Sequence, residues 1–239
     1  MVEVYMNPLT SKKNLLSIVP RRLLNLVRGN PDAFLKNSKG VIHVGANLGQ
    51  ERDIYAAKDL NVVWIEPIPE IFERLTKLIA PFPKQKAFCR LITDVDDREY
   101  SLNLSNHDGR SSSIFELAEH RKLWPDTSFT GKITVKSIRL STLVRRESIE
   151  LSTYDTLVMD TQGSELLVLQ GAIDSLSRFR FIKTEVADFE SYKSCCQFPE
   201  INEFLVQQGF RLIAKHEFVR RKGTGSYFDV LYEAESQFV

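Results

Sequence analysis

The chain has 239 residues, 43% of them apolar and 26% charged, which excludes fibrous and intrinsically disordered classes and suits one globular domain with a small extension. Its 32 Lys plus Arg against 31 Asp plus Glu leave a formal net charge of +1, so no global electrostatic argument for nucleic acid or an anionic membrane follows. No run approaches the ~18 apolar residues of a spanning helix, no secretory h-region is visible, and Cys89, Cys195 and Cys196 form neither a CxxC nor a zinc-ligand spacing. A reducing, cytoplasmic setting is therefore expected.

The first forty residues carry seven Lys or Arg against Glu3 and Asp32. Leu15, Leu16, Val19, Leu23, Leu26 and Val27 are spaced as in a helix, interrupted at Pro20. Residues 1–39 are read as a basic helical extension and 40–239 as the main domain. From Gly40 short apolar runs alternate with helical segments. Val41–Val44, Val62–Ile65, Asp155–Met159 and Phe181–Val186 read as buried strands, and Lys86–Ile92 as a weaker one. Tyr100–Leu104 and Ile133–Ile138 alternate as half-exposed strands. Helices are expected over Gly49–Leu60, Pro69–Ile79, Ser164–Leu176 and Glu200–Gln208. Phe210–Lys215 and Tyr227–Tyr232 close the chain as a hairpin across Arg220–Gly225. Strand–helix alternation of this kind predicts an α/β sandwich with a mostly parallel sheet, whose ligands sit at the carboxyl ends of the strands.

The residues after the first strand are Gly45-Ala46-Asn47-Leu48-Gly49-Gln50-Glu51. Glycines at a strand-to-helix turn let a ligand approach the backbone. A dinucleotide fingerprint wants glycine where Asn47 and Gln50 stand, and no GxxxxGK[ST] occurs. Glu66, beside Pro67, ends the second strand 21 residues beyond Gly45, the distance at which a carboxylate meets ribose hydroxyls. A nucleoside without a pyrophosphate points to S-adenosylmethionine, with S-adenosylhomocysteine as product. Its amino-acid part would lie on the turn amides and Asn47, and its ribose on Glu66. Gly45, Ala46, Asn47, Gly49, Gln50, Glu51, Glu66, Pro67, Asp94 and Asp160 form the cofactor set.

Four blocks make the sequence resemble the FkbM family of class I S-adenosylmethionine-dependent methyltransferases. They are Ile42–Gly49, Ile65-Glu66-Pro67, Asn106–Ile114, and Met159-Asp160-Thr161-Gln162-Gly163-Ser164-Glu165 running into Val168-Leu169-Gln170-Gly171-Ala172. A weaker fifth runs through Thr184-Glu185-Val186 to Gly209-Phe210. The resemblance covers residues 40–235. It implies a Rossmann-like sandwich with a seven-stranded, mostly parallel sheet in the order 3-2-1-4-5-7-6. It also implies O-methylation of hydroxyls on sugars, glycans or secondary metabolites.

Methyl transfer from a sulfonium asks the protein for positioning and for a group that takes the acceptor's proton. Asp160, at the end of the fourth core strand, His107, in a hydroxyl-rich loop, and Glu185, at the end of the fifth, are the candidates. Ser111, Ser112, Ser113, Gln162, Glu165 and Asp188 are the acceptor-side set, although acids such as Glu165 also favour a helix N-terminus on electrostatic grounds alone. Phe189 and Tyr192 are read either as an apolar wall or as packing residues, and His43 as a core histidine. An Asp160/Glu165 pair holding a divalent cation is the less favoured arrangement, and no metal ligand is assigned. The expected partner is a small-molecule or glycan acceptor, with no nucleic acid; a homo-oligomer stays open. A nucleic-acid or protein methyltransferase, or a domain that keeps the fold without catalysis, are the alternatives.

Overall fold

A computed structural model describes residues 31–235 and the backbone of Val2–Glu3. The helical reading of residues 15–27 lies outside these. In chain order the strands are β1 (Val2–Glu3), β2 (Gly40–Val44), β3 (Asn61–Ile65), β4 (Gln85–Phe88), β5 (Leu91–Ile92), β6 (Glu99–Ser105), β7 (Phe129–Ile138), β8 (Thr156–Met159), β9 (Phe181–Ala187), β10 (Phe210–Arg221) and β11 (Gly225–Ala234). The α-helices are α1 (Arg52–Ala56), α2 (Pro69–Ile79), α3 (His120–Leu123), α4 (Leu140–Arg146), α5 (Glu165–Gly171) and α6 (Phe198–Gln207).

The main sheet runs β4-β3-β2-β8-β9-β11-β10-β1. Its seven strands from Gly40 onward stand in the expected order 3-2-1-4-5-7-6, with β1 added at the edge against Arg220 and Arg221. Strands β4, β3, β2, β8 and β9 are parallel, and β11 is antiparallel to both neighbours, so the closing hairpin is where the sequence puts it. β2 and β8 are buried at every residue because the sheet is covered on both faces, which accounts for their unbroken apolar runs. Helix α2 begins with Pro69 in its first turn and buries Ile71, Leu75 and Ile79, one stripe at i, i+4 spacing. Phe34 and Leu35, in a 3-10 turn before β2, are buried in the same cluster as Trp64 and Leu75, so residues assigned to the extension contribute to the core.

Several elements differ from expectation. The helix over Gly49–Leu60 is only Arg52–Ala56: Asp59 takes φ +57 and the Leu60 N–H turns back to the Tyr55 carbonyl, which ends it. The strand over Lys86–Ile92 divides. Gln85–Phe88 pairs with β3, whereas Leu91–Ile92 pairs with Ser137 and Ile138 in a second sheet, β5-β7-β6. The helix after β8 stops at Gly171, and a 3-10 turn follows at Leu176–Arg178. Helices α3 and α4 have no counterpart in the sequence reading. Among the described residues only Val2 and Glu3 pair with the outer side of β10, which carries irregularities at Leu212/Ala214 and Glu217/Val219.

Candidate active site

At the carboxyl ends of β2, β3 and β8 lies a cavity of about 500 Å³, within the range of small-molecule sites. The loop between β6 and α3 borders it through Gly109, Arg110, Ser112, Ser113 and Ile114. Gly45 sets its floor. With φ +79, a Cβ there would stand 1.9 Å from the Asp160 carbonyl oxygen, so only glycine lets the two strand ends approach. The amides of Gly45 and Ala46 both donate to the Ile65 carbonyl, and the Asn47 amide donates to Glu66 Oε2 at 2.8 Å. These amides are therefore engaged within the protein, contrary to the expectation that they face the amino-acid part of a ligand. Among the described residues the Gly45 carbonyl accepts no hydrogen bond and can meet an ammonium group.

Glu66 is 4% exposed and lines the cavity. Its second oxygen accepts the Ile68 amide at 2.9 Å. Each carboxylate oxygen thus keeps a lone pair for a hydroxyl. Burial pushes its pKa up to about 7 despite the two amides, which favour the charged form. The neighbouring wall is apolar: Pro67, Ile68, Leu91, Ile92, Leu102 and Ile114. Gln50 and Glu51 line the amino-acid side, and Gln50 Nε2 donates to Asn47 Oδ1 at 2.9 Å.

Asp160 opens into the same cavity. Asp160 is exposed to solvent in the cleft, yet the protein mass around its carboxylate desolvates it enough to push its pKa up to about 7. A bond of 2.5 Å from Gln162 Nε2 opposes the shift, while Glu165, Glu51 and Asp229 reinforce it. Glu185 is raised well above its usual range by burial and then by Asp160, Asp229 and Glu165. The two carboxyls raise one another, so they share a proton more readily than either would alone. Tyr192, 1% exposed, donates its hydroxyl to Gln162 Oε1 at 2.6 Å. This connection carries no sequence periodicity.

A family model described as the methyltransferase FkbM domain matches residues 43–212. The chain belongs to this family. A 2-O-methyltransferase, NoeI, from Sinorhizobium fredii is 26% identical over 85% of this chain and 90% of its own length. A hexuronic acid methyltransferase, AglP, from Haloferax volcanii is 30% identical over 60% of this chain, which spans 54% of that protein. Among solved structures, an uncharacterized protein from Listeria monocytogenes serotype 4b aligns with a TM-score of 0.50 at 11% identity, over 92% of this chain and 70% of that one. The fold and the family are thus those that the sequence resembles.

Within this FkbM domain several expected site residues serve the scaffold. Glu165 is 3% exposed and accepts the Thr161 amide at 2.9 Å, the Gly163 amide at 3.0 Å and the Thr161 hydroxyl at 3.1 Å. It holds the turn that carries Gln162 rather than facing the cavity. Ser112 Oγ accepts the Ser105 amide, Ser113 donates to the Gln162 carbonyl at 2.7 Å, and Ser111 meets Tyr192 through its carbonyl. Gly49 is turned against Leu75, away from the cavity lining. Asp94 and His107 are exposed and outside the lining, His107 at φ +58 on the loop surface. Asp188 accepts the Ser226 amide at 2.7 Å and fixes the β10–β11 hairpin. His43 stacks on Trp64, bonds Tyr55 at 3.2 Å, and has its pKa lowered to about 3 by burial, with Lys183 adding to the effect. Among the described residues no group of three or more His, Cys, Asp or Glu could hold a metal ion, and no helix is long and apolar enough to cross a membrane.

Proposed function

We propose that this FkbM domain binds S-adenosylmethionine and methylates a hydroxyl of a sugar or glycan. The observation that carries the reading is one cavity holding both Glu66, at the end of β3, and Asp160, at the end of β8. The donor set fits the cofactor. Glu66 has acceptor capacity for two ribose hydroxyls, Leu91, Ile92, Leu102 and Ile114 suit an adenine ring, and the free Gly45 carbonyl with Glu51 suits an ammonium group. When bound, the cofactor supplies a methyl group already activated on a sulfonium.

Asp160 receives the proton of the acceptor hydroxyl as attack proceeds; a base with a pKa near 7 is suited to that task at neutral pH. Gln162 orients the carboxylate, and Glu165 holds the loop on which Gln162 sits. Glu185, itself pushed upward by burial and by Asp160, disfavours a second negative charge beside Asp160. The apolar wall excludes water from the reacting end. A sugar acceptor is supported by the two curated relatives, both named for O-linked or uronic-acid methylation. A cytoplasmic setting belongs to the same reading and is supported by three free cysteines. So does a division into residues 1–39, whose Phe34 and Leu35 pack into the core, and a methyltransferase domain from residue 40.

Calorimetry with S-adenosylmethionine, followed by transfer of labelled methyl to a panel of methyl glycosides and uronides, tests the proposal. Failure to bind the cofactor favours a non-catalytic domain. Labelling of RNA or peptides in place of sugars overturns the acceptor assignment.

A further inference from the structure

The Gln162 amide lies among three oxygen-bearing neighbours, Tyr192, Asp160 and Glu185, and its orientation decides what Asp160 meets. Its backbone is left-handed at φ +54 and its carbonyl is pinned by the Ser113 hydroxyl at 2.7 Å, which fixes the point from which the side chain projects. The flip of the terminal amide remains. Only the NH2 edge stabilises an ionised Asp160; the carbonyl edge would face it with a second acceptor.

We propose that Tyr192 is a positioning residue that fixes this flip, its hydroxyl donating to Gln162 Oε1 so that Nε2 points at Asp160. The geometry is a relay of two short bonds, 2.6 Å from Tyr192 to Gln162 and 2.5 Å from Gln162 to Asp160. The ring is immobilised between the Gly163 turn and His120, whose ring centroid lies 5.1 Å away. Burial, with Glu185 and Asp160 nearby, pushes the Tyr192 hydroxyl well above its ordinary range, so it stays protonated and must donate. The second oxygen within reach, the Ser111 carbonyl, lies at 3.4 Å and competes weakly. The inference rests on the cofactor reading above and extends it to the control of Asp160.

Asp160 also faces Glu165 from α5, Glu185 from β9, Asp229 from β11 and Glu51 ahead of α1, with Lys183 balancing Asp229, Glu51 and Asp32. A readout specific to Asp160 is therefore needed. S-adenosylmethionine carries a sulfonium and S-adenosylhomocysteine does not, while both carry the ribose that meets Glu66. The ratio of their affinities, measured by calorimetry from pH 5.5 to 8.5, cancels Glu66 and follows the charge beside the sulfur.

For the unaltered protein the ratio rises with pH, and Asp160→Asn abolishes the rise. Tyr192→Phe moves the midpoint upward by about one pH unit, because the freed amide no longer favours the carboxylate. Gln162→Leu moves it the same way, and the double variant moves it no further. A midpoint unmoved in folded Tyr192→Phe, a shift additive with that of Gln162→Leu, or a rise that survives Asp160→Asn overturns the proposal. If Tyr192→Phe does not fold, 3-fluorotyrosine at this position keeps the shape and strengthens the donor, and the midpoint then moves down; no movement overturns the proposal. Absence of binding by either nucleoside instead sinks the cofactor reading, and this proposal with it.

Discussion

On the β3 side of the cavity, Glu66 is held by two backbone amides and stands apart from other acids. On the β8 side, Asp160 is held by one side-chain amide and crowded by Glu165, Glu51, Asp229 and Glu185. Both carboxyls are raised to about 7, yet by different routes: desolvation acts alone on Glu66 and is joined by like charges at Asp160. The contrast separates a group built to hold a ligand from one built to exchange a proton.

The largest expected effect breaks the β8 side. Asp160→Asn should lower methyl transfer to the glycoside panel by about a hundredfold or more, the range for removal of a general base, while cofactor affinity near pH 6 changes little. Unaltered turnover would remove Asp160 from the chemistry. On the β3 side, Glu66→Ala should weaken S-adenosylmethionine and S-adenosylhomocysteine alike, each by about tenfold, as a charge-assisted pair of bonds is lost; calorimetry showing unequal losses would move Glu66 away from the ribose.

A smaller effect concerns the free protein. Both carboxyls have folded values above the unfolded ones, 4.5 for Glu66 and 3.8 for Asp160. Their contribution to stability is present below those unfolded values and is lost as pH rises through about 7. Buried His43, lowered to about 3, acts in the opposite sense and is common to parent and variant, so the carboxyl contribution is read as a difference: Glu66→Gln should raise the melting temperature of the cofactor-free protein more at pH 8 than at pH 5.5. The smallest effect is His107→Ala, expected to change turnover less than about twofold because the ring is exposed and outside the cavity lining, as is usual for surface substitutions. A large loss would show that the loop brings His107 to the acceptor.

The two sides also differ in how far they are legible from residues alone. Glu66 announces itself through its position at a strand end and its distance from Gly45. Glu165 does not, because whether its carboxylate faces a ligand or folds under its own turn depends on the left-handed backbone at Gln162 and Gly163. The Ser111–Ser113 run reads as a ligand surface, yet its polar groups are engaged by protein partners: Ser105 within the loop, and Gln162 and Tyr192 beyond it. Tyr192 lies in a segment without period, so nothing in the chain reveals that its hydroxyl reaches Gln162. β2, β3 and β8 are visible because burial on both faces writes unbroken apolar runs, whereas β4 and β10 lie largely exposed and are signalled less clearly. The second sheet is not visible, since β5 is two residues long and pairs far along the chain with Ser137 and Ile138.

The outer side of β10 bears on behaviour in concentrated solution. Among the described residues, the part of β10 beyond its pairing with Val2 and Glu3 offers backbone donors and acceptors to a strand from another molecule, and Leu212 and Ile213 stand partly exposed on it. Its two register shifts break the straight ladder that such an addition needs, and Arg211 and Lys215 add positive charge along it. The same kinks that look like faults in the hairpin thereby guard the enzyme against growing into fibres.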